Sequence, residues 1–271
     1  MNDETCYLCF FAIPLRCPVT LAPCPQPSFS RIVRMAPPSS ALPAPDPRKA
    51  TIASRVAAQL RGEILSGALA PGAKVNLDRL RERLDVSLAP VREAMTRLLA
   101  EGLVELEDQR GYHVAPVSRA NLDEVIRLRA ELEPLALGLA IERGTIEWEG
   151  AVMAALHRLT RTPRAGADSA STDAWEAAHA RFHLALIEGC GMPMLIGFCQ
   201  RLHLLDERYH RLPHPAGRAD RDAATDHAAL AAATTARHSA EAVALLASHI
   251  AQSGAELRDA LAATLPDLNR P

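Results

Sequence analysis

The chain has 271 residues, 48% of them hydrophobic but only 4% aromatic, and carries a formal net charge of −2. That length supports one large or two medium domains, and the aromatic-poor balance favours helices packed on helices over a β-sandwich. The near-zero charge excludes a polycation, so any contact with nucleic acid must come from a local patch, and no apolar run approaches the ~20 residues of a membrane span.

The first 45 residues differ from the rest. They hold Cys6, Cys9, Cys17 and Cys24, and prolines crowded into "MAPPSSALPAPDP". A secretory signal needs a basic start before its apolar stretch, and Asp3 and Glu4 take that place. The cysteine spacing matches no standard zinc finger. Residues 1–45 are expected to be a disordered leader or a misassigned start with Met35 as the initiator. Beyond them only Cys190 and Cys199 remain, which fits a reducing cytoplasm and no disulfide frame.

Regular patterning begins near Thr51. In "TIASRVAAQLRGEILSG", Ile52, Val56, Leu60, Ile64 and Leu65 recur at helical spacing and Gly67 ends the run. "LAPGAKV" is expected to be a turn around Pro71 and Gly72. "NLDRLRERL" predicts a second short helix capped by Asn76. Ser87 is a natural N-cap for a third, from about Ala89 to Glu101, with Pro90 in its first turn. "LVELEDQRGYHVAPV" predicts two strands around a tip at Gln109, Arg110 and Gly111. Helix, helix, turn, helix and hairpin make a winged helix-turn-helix, expected over residues 46–118.

After a short linker, about Pro116 to Arg119, only helices are expected. Six segments of roughly 15–25 residues predict an all-α antiparallel bundle over residues 119–265, with Pro134 a candidate kink in the first helix and "TPRAGADSAST" and "PHPAGR" as breaks. The fold class is therefore mostly α.

A recognition helix needs donors where it meets base edges and phosphates. Arg92 and Arg97 lie on the third helix, Arg79, Arg81 and Arg83 on the second, and Arg110 at the wing tip. A guanidinium can grip guanine or phosphate with two hydrogen bonds. The bland alternative is a solvated face of intrahelical ion pairs; the set in register with a turn and a hairpin favours DNA.

"LAPGAKV", "LRERLDVSLAPVREAMTRLLAEGLVE" and "QRGYHVAPVS" resemble the N-terminal domain of GntR-family bacterial transcription regulators. The resemblance covers about residues 51–118 and implies DNA contacts at Arg79, Ser87, Leu88, Pro90, Arg92, Arg97, Arg110 and Gly111. Leu88 stands where the family commonly has a base-reading arginine, and Asp78 where some relatives carry one. Leu88 can touch a thymine methyl but cannot contact guanine, so the family's operator sequence does not carry over.

The helical half holds a second pattern. His179 and His183 are four apart and share a helix face, while His227 and His249 sit in later apolar helical settings. Imidazoles at i and i+4 can clamp one divalent ion, and crossing helices can add ligands. His157, His203, His210, His214 and His238 are expected at the surface or hydrogen-bonded in the core, and His113 lies in the wing. About residues 120–263 resemble the effector-binding FCD domain of the FadR-type branch of the GntR family, through "RLRAELEPLALGLA", "HARFH", "DH" and "SHI". That resemblance implies a metal site of His179, His183, His227 and His249 and a carboxylate partner at Arg129. His179 replaces the commoner aspartate. Several stretches are also similar to the carbon-starvation-induced sub-branch, which implies a dicarboxylate.

Enzymatic signatures are missing. Ala180 follows the first histidine where a zinc peptidase has its glutamate base, and there is no nucleophile elbow, P-loop or GxGxxG turn. The expectation is a cytoplasmic homodimeric regulator, a repressor, reading a pseudo-palindromic double-stranded operator and answering to a small carboxylate at a divalent ion of the Zn or Ni class. The rivals are a helical metalloenzyme with a vestigial winged helix, and a metal sensor.

Overall fold

A computed structural model describes residues 51–163, 169–212, 223–262 and 265. The leader over 1–45 and the break at "PHPAGR" lie outside the described residues. None of the helices described is long and apolar enough to cross a membrane.

Helix α1 (Ile52–Leu65) starts where Thr51 Oγ1 accepts from Ser54 N–H at 3.1 Å. Gly67 leaves it with φ +78°, a conformation that L side chains resist. Helix α2 (Leu77–Leu84) is capped by Asn76, and α3 (Leu88–Glu101) begins after Ser87 and ends at Gly102. Strands β2 (Val104–Glu107) and β3 (Gly111–Val114) form the hairpin, with Gly111 at φ +85°. The region expected to be a turn contributes a third strand, β1 (Lys74–Val75), giving antiparallel order β1-β3-β2. Two residues are too short to show alternation. The strand forms because the free edge of β3 offers partners, as in Val114 N–H to Ala73 C=O at 2.8 Å. Leu60, Val91, Met95, Leu98 and Val104 fill the core of this head.

Among the described residues the second half has six α-helices: α4 (Arg119–Arg143), α5 (Ile146–Arg161), α6 (Ser169–Ile187), α7 (Pro193–His210), α8 (Ala223–Thr235) and α9 (Ser239–Leu261). Helix α4 runs unbroken through Pro134, which is itself buried. The segment expected as a loop up to residue 172 is helical from Ser169. Helix α4 lies between α7 and α9, and α5 packs on α6 and α8. Trp148 locks α5 to α6 by donating from Nε1 to Ala185 C=O at 2.8 Å.

Helices α4 and α9 approach closely at Gly254. A Cβ there would meet Ile126 Cγ2 at 2.7 Å, so α9 reaches α4 only because the position is glycine. Gly254→Val should destabilise the fold by about 1–3 kcal/mol, read as a lower thermal midpoint, while Gly150→Val, with open space around it, should do much less steric harm.

Candidate metal centre and nucleic-acid interface

Four imidazoles converge between α6, α8 and α9. One ring nitrogen from each of His179, His183, His227 and His249 lies within 4.8 Å of all the others. His179 Nε2 and His183 Nε2 are 3.1 Å apart. The i, i+4 spacing on α6 supplies one pair. Helices α8 and α9, packed on each other, supply the second, with ring centroids 4.7 Å apart. Trp175, one turn before His179, stacks on its ring at 4.8 Å and 13° and holds its orientation. His183, His227 and His249 are buried, and His179 is half-buried.

The arrangement fits a metal ion. Tetrahedral Zn–N bonds of about 2.0–2.1 Å place ligand nitrogens roughly 3.3 Å apart, and the His179–His183 pair is already at that spacing. Burial, followed by the repulsion of neighbouring imidazoles, holds His179 and His183 well below the ordinary histidine value. Both rings therefore stay neutral, which is the form that ligates.

A charged network lies behind His183. Glu133 Oε2 is 3.9 Å from His183 Nδ1 and 3.2 Å from His203 Nε2. Arg129 donates from Nε to Glu133 Oε1 at 2.7 Å and from Nη1 to Asp206. His210 Nε2 is 3.3 Å from Asp206. Burial raises both acids, yet the buried arginine outweighs it. Glu133, helped by His203, falls to about 2, and Asp206, helped by His210, also falls below the usual carboxylate range.

The expected site residues are thus placed as follows. The four histidines come together. Arg129 is near them but buried, with Nε and Nη1 engaged by internal acids, so it does not offer an open fork to a carboxylate; Nη2 alone is left. Glu133 and Asp206 are not marked by the sequence reading, and His203 and His210, expected at the surface or hydrogen-bonded in the core, lie against these two acids. A signal existed: in "HLLDERYH" the polar residues 203, 206 and 210 fall at i, i+3 and i+7, along one face of the helix.

On the head, the arginines divide by what they already hold. Arg92 on α3 and Arg79 on α2 are exposed, and neither guanidinium has a hydrogen bond or ion pair with a described residue. Arg97 donates to Glu93 at 2.5 Å, the intrahelical pairing that sequence offered as its alternative, and to Ser54 of α1 at 2.7 Å. Arg110 pairs with Glu107 at 3.1 Å, Arg81 with Asp78, and Arg83 with Glu63. Ser87 stands at the N-cap of α3 without a capping hydrogen bond from its hydroxyl. Leu88 and Pro90 are half-buried in the first turn.

The metal-free site makes a pH prediction. A histidine depressed in the folded state stabilises the fold above the unfolded value, ~6.5, and loses that contribution as pH falls from there toward the folded value. Metal-stripped protein should therefore lose thermal stability between about pH 7 and pH 5. The drop should shrink in His183→Gln, followed by scanning calorimetry.

Comparisons with known proteins agree with this layout. A family profile described as "Bacterial regulatory proteins, gntR family" matches residues 52–114, and one described as "FCD domain" matches residues 124–252. The HTH-type transcriptional repressor GlaR of Escherichia coli is 36% identical over 150 residues, 55% of this chain and 68% of the relative. BphR, an HTH-type transcriptional regulator of Paraburkholderia xenovorans, is 36% identical over 183 residues, 66% of this chain and 74% of the relative. The solved structure of E. coli McbR/YncC superposes with a TM-score of 0.62 at 26% identity, covering 77% of this chain and 98% of that one.

Proposed function

The chain belongs to the GntR family of bacterial regulatory proteins, and from that premise we propose that it is a repressor governed by a small carboxylate at a metal site. It is a DNA-binding transcription regulator, a winged helix-turn-helix joined to an effector-binding FCD domain. One observation carries the finer reading: four imidazoles, three buried and one half-buried, bring their nitrogens within 4.8 Å of one another.

His179, His183, His227 and His249 would hold a divalent ion of the Zn or Ni class. Such an ion, when bound, supplies a positive centre with open positions for a ligand. Four neutral imidazoles bring no negative charge to it, so an anion is the complementary ligand, and a dicarboxylate is the class favoured. Arg129, its charge answered by Glu133 and Asp206, leaves only Nη2 to meet a ligand oxygen. Ligand binding shifts the protein only if the ligand's affinity differs between two placements of the heads.

On DNA, Arg92 and Arg79 are the freest donors. Arg97 and Arg110 must exchange an internal acid for phosphate, and Ser87, Leu88, Pro90 and Gly111 shape the approach of α3 and the wing. A homodimer acting in the cytoplasm would place two heads on a pseudo-palindrome. An apolar stripe supports pairing: Leu128 and Leu135 on α4 and Met194 and Phe198 on α7 are 41%, 55%, 77% and 54% exposed.

Two measurements test this reading. Protein purified without added metal should hold about one divalent ion per chain and melt higher with one dicarboxylate of a panel, by ligand linkage; His183→Ala should lose the ion and the shift. No ion and no response would sink the metal and effector reading. Arg92→Ala should weaken binding to an operator selected from random duplexes by tenfold or more, the loss of about 1–3 kcal/mol expected for a good base or phosphate contact, with melting unchanged. Unaltered affinity would remove Arg92 from the interface.

A further inference from the structure

Helix α7 has two working faces. His203, Asp206 and His210 point to the histidine pocket through Glu133 and Arg129. Arg201, Leu204, Leu205 and Arg208, at i, i+3, i+4 and i+7, form the other face, which meets the head. Leu204 and Leu205 pack against the head's core. Arg201 lies so close to Gly102, at the end of α3, that a Cβ there would sit 2.9 Å from Nη2.

Arg208 is the unusual member. It is 4% exposed and its Nε has no partner. Its terminal nitrogens donate to the carbonyls of Ala115 and, at 3.5 Å, Pro116, and no carboxylate among the described residues touches it. Those carbonyls belong to the strip of chain between β3 and α4, the covalent joint of the two halves. Next along, the Tyr209 hydroxyl lies 2.8 Å from Asn121 Oδ1 and 3.2 Å from Ser118 C=O, and accepts from Ser118 N–H at 3.4 Å. A buried cation without a counter-charge is costly. Burial indeed pushes the Arg208 guanidinium down, with only Tyr209 and Glu105 opposing. A core does not need such a residue for packing, since an apolar side chain of similar volume would serve at least as well. What the guanidinium adds is direction, a fork that ties α7 to two successive carbonyls of the joint.

We propose that Arg208 is a positioning residue that latches the DNA-binding head to α7 through the Ala115 and Pro116 carbonyls, so that ligation in the histidine pocket reaches the head along this one helix. The first clause stands on contacts alone; the second rests on the metal reading given above. A latch held by neutral dipoles is easier to release than one held by a carboxylate, which suits an element that must take up two positions.

The test uses full-chain protein and random-sequence duplexes, with zinc alone as the pocket's probe. Wild type should select two half-sites at one spacing. Arg208→Met should select the same half-site sequence over a spread of spacings, and peptides over residues 113–122 should exchange amide hydrogen at least tenfold faster. Arg208→Lys should fall between. A merely structural role would lower melting and leave spacing unchanged. Retained spacing with unchanged exchange in Arg208→Met overturns the latch. If that variant does not fold, Tyr209→Phe decides, since it keeps the buried ring and removes only the hydroxyl's contacts to the joint. For the second clause, zinc-loaded and stripped wild type are compared. Altered exchange over 113–122 in wild type but not in Arg208→Met supports the coupling. Zinc bound by metal analysis with exchange unaltered overturns the coupling alone. No zinc bound overturns the metal reading and the coupling with it, while the latch is still decided on zinc-free protein.

Discussion

The buried guanidinium of Arg129 governs the polar half of the helical domain, because a charge taken out of water has to be met by opposite charge in fixed geometry. Glu133 meets it from the same helix at i+4, and Asp206 meets it from α7. Both acids stay ionised despite burial; Glu133 turns its second oxygen to His203, while Asp206 Oδ2 meets both Arg129 and His210. Removing Arg129 would leave two carboxylates facing each other in a dry interior, so α4 and α7 are held in one register around this residue. The four-histidine pocket is assembled against that register, with His183 seated between its partner ligands on one side and Glu133 on the other.

The two halves of the molecule use arginine differently at their sites. In the helical domain Arg129 is buried and answered by Glu133 and Asp206. On the head the arginines of α2, α3 and the wing tip are exposed, and several are answered only by solvated acids, in pairs worth about 0–1 kcal/mol. Such pairs are easily exchanged for phosphate, so the cost of presenting Arg97 or Arg110 to DNA is small. Arg92 and Arg79 pay none of it. The head thus needs no net positive chain to bind a polyanion, which reconciles a formal charge of −2 with a DNA-binding surface.

Local patterning carries a long way here. Helical periodicity, the cap at Asn76, and turn glycines such as Gly67 and Gly111 are readable because each depends on residues within a turn or two of the chain. The i, i+4 pair His179 and His183 is legible for the same reason. Strand β1 is not, because its two residues are a strand only by virtue of the β3 edge. The same holds for Arg129, whose sequence neighbourhood shows a basic residue on a helix face and says nothing of Asp206, 77 residues away.

What the sequence by itself determined, then, is the inventory: a winged helix-turn-helix, a set of helices, a cluster of arginines, and histidines at spacings that suit one ion. The tertiary structure decided which of these are answered from within. It spent Arg97 on Glu93 and Ser54, left Arg92 open, turned Arg129 inward, drew His203 and His210 beside the pocket, and set Arg208 against the joint. The physical reason is that periodicity reports which face of an element is apolar, whereas the fate of a charge depends on which other charges the fold brings within about 4 Å of it.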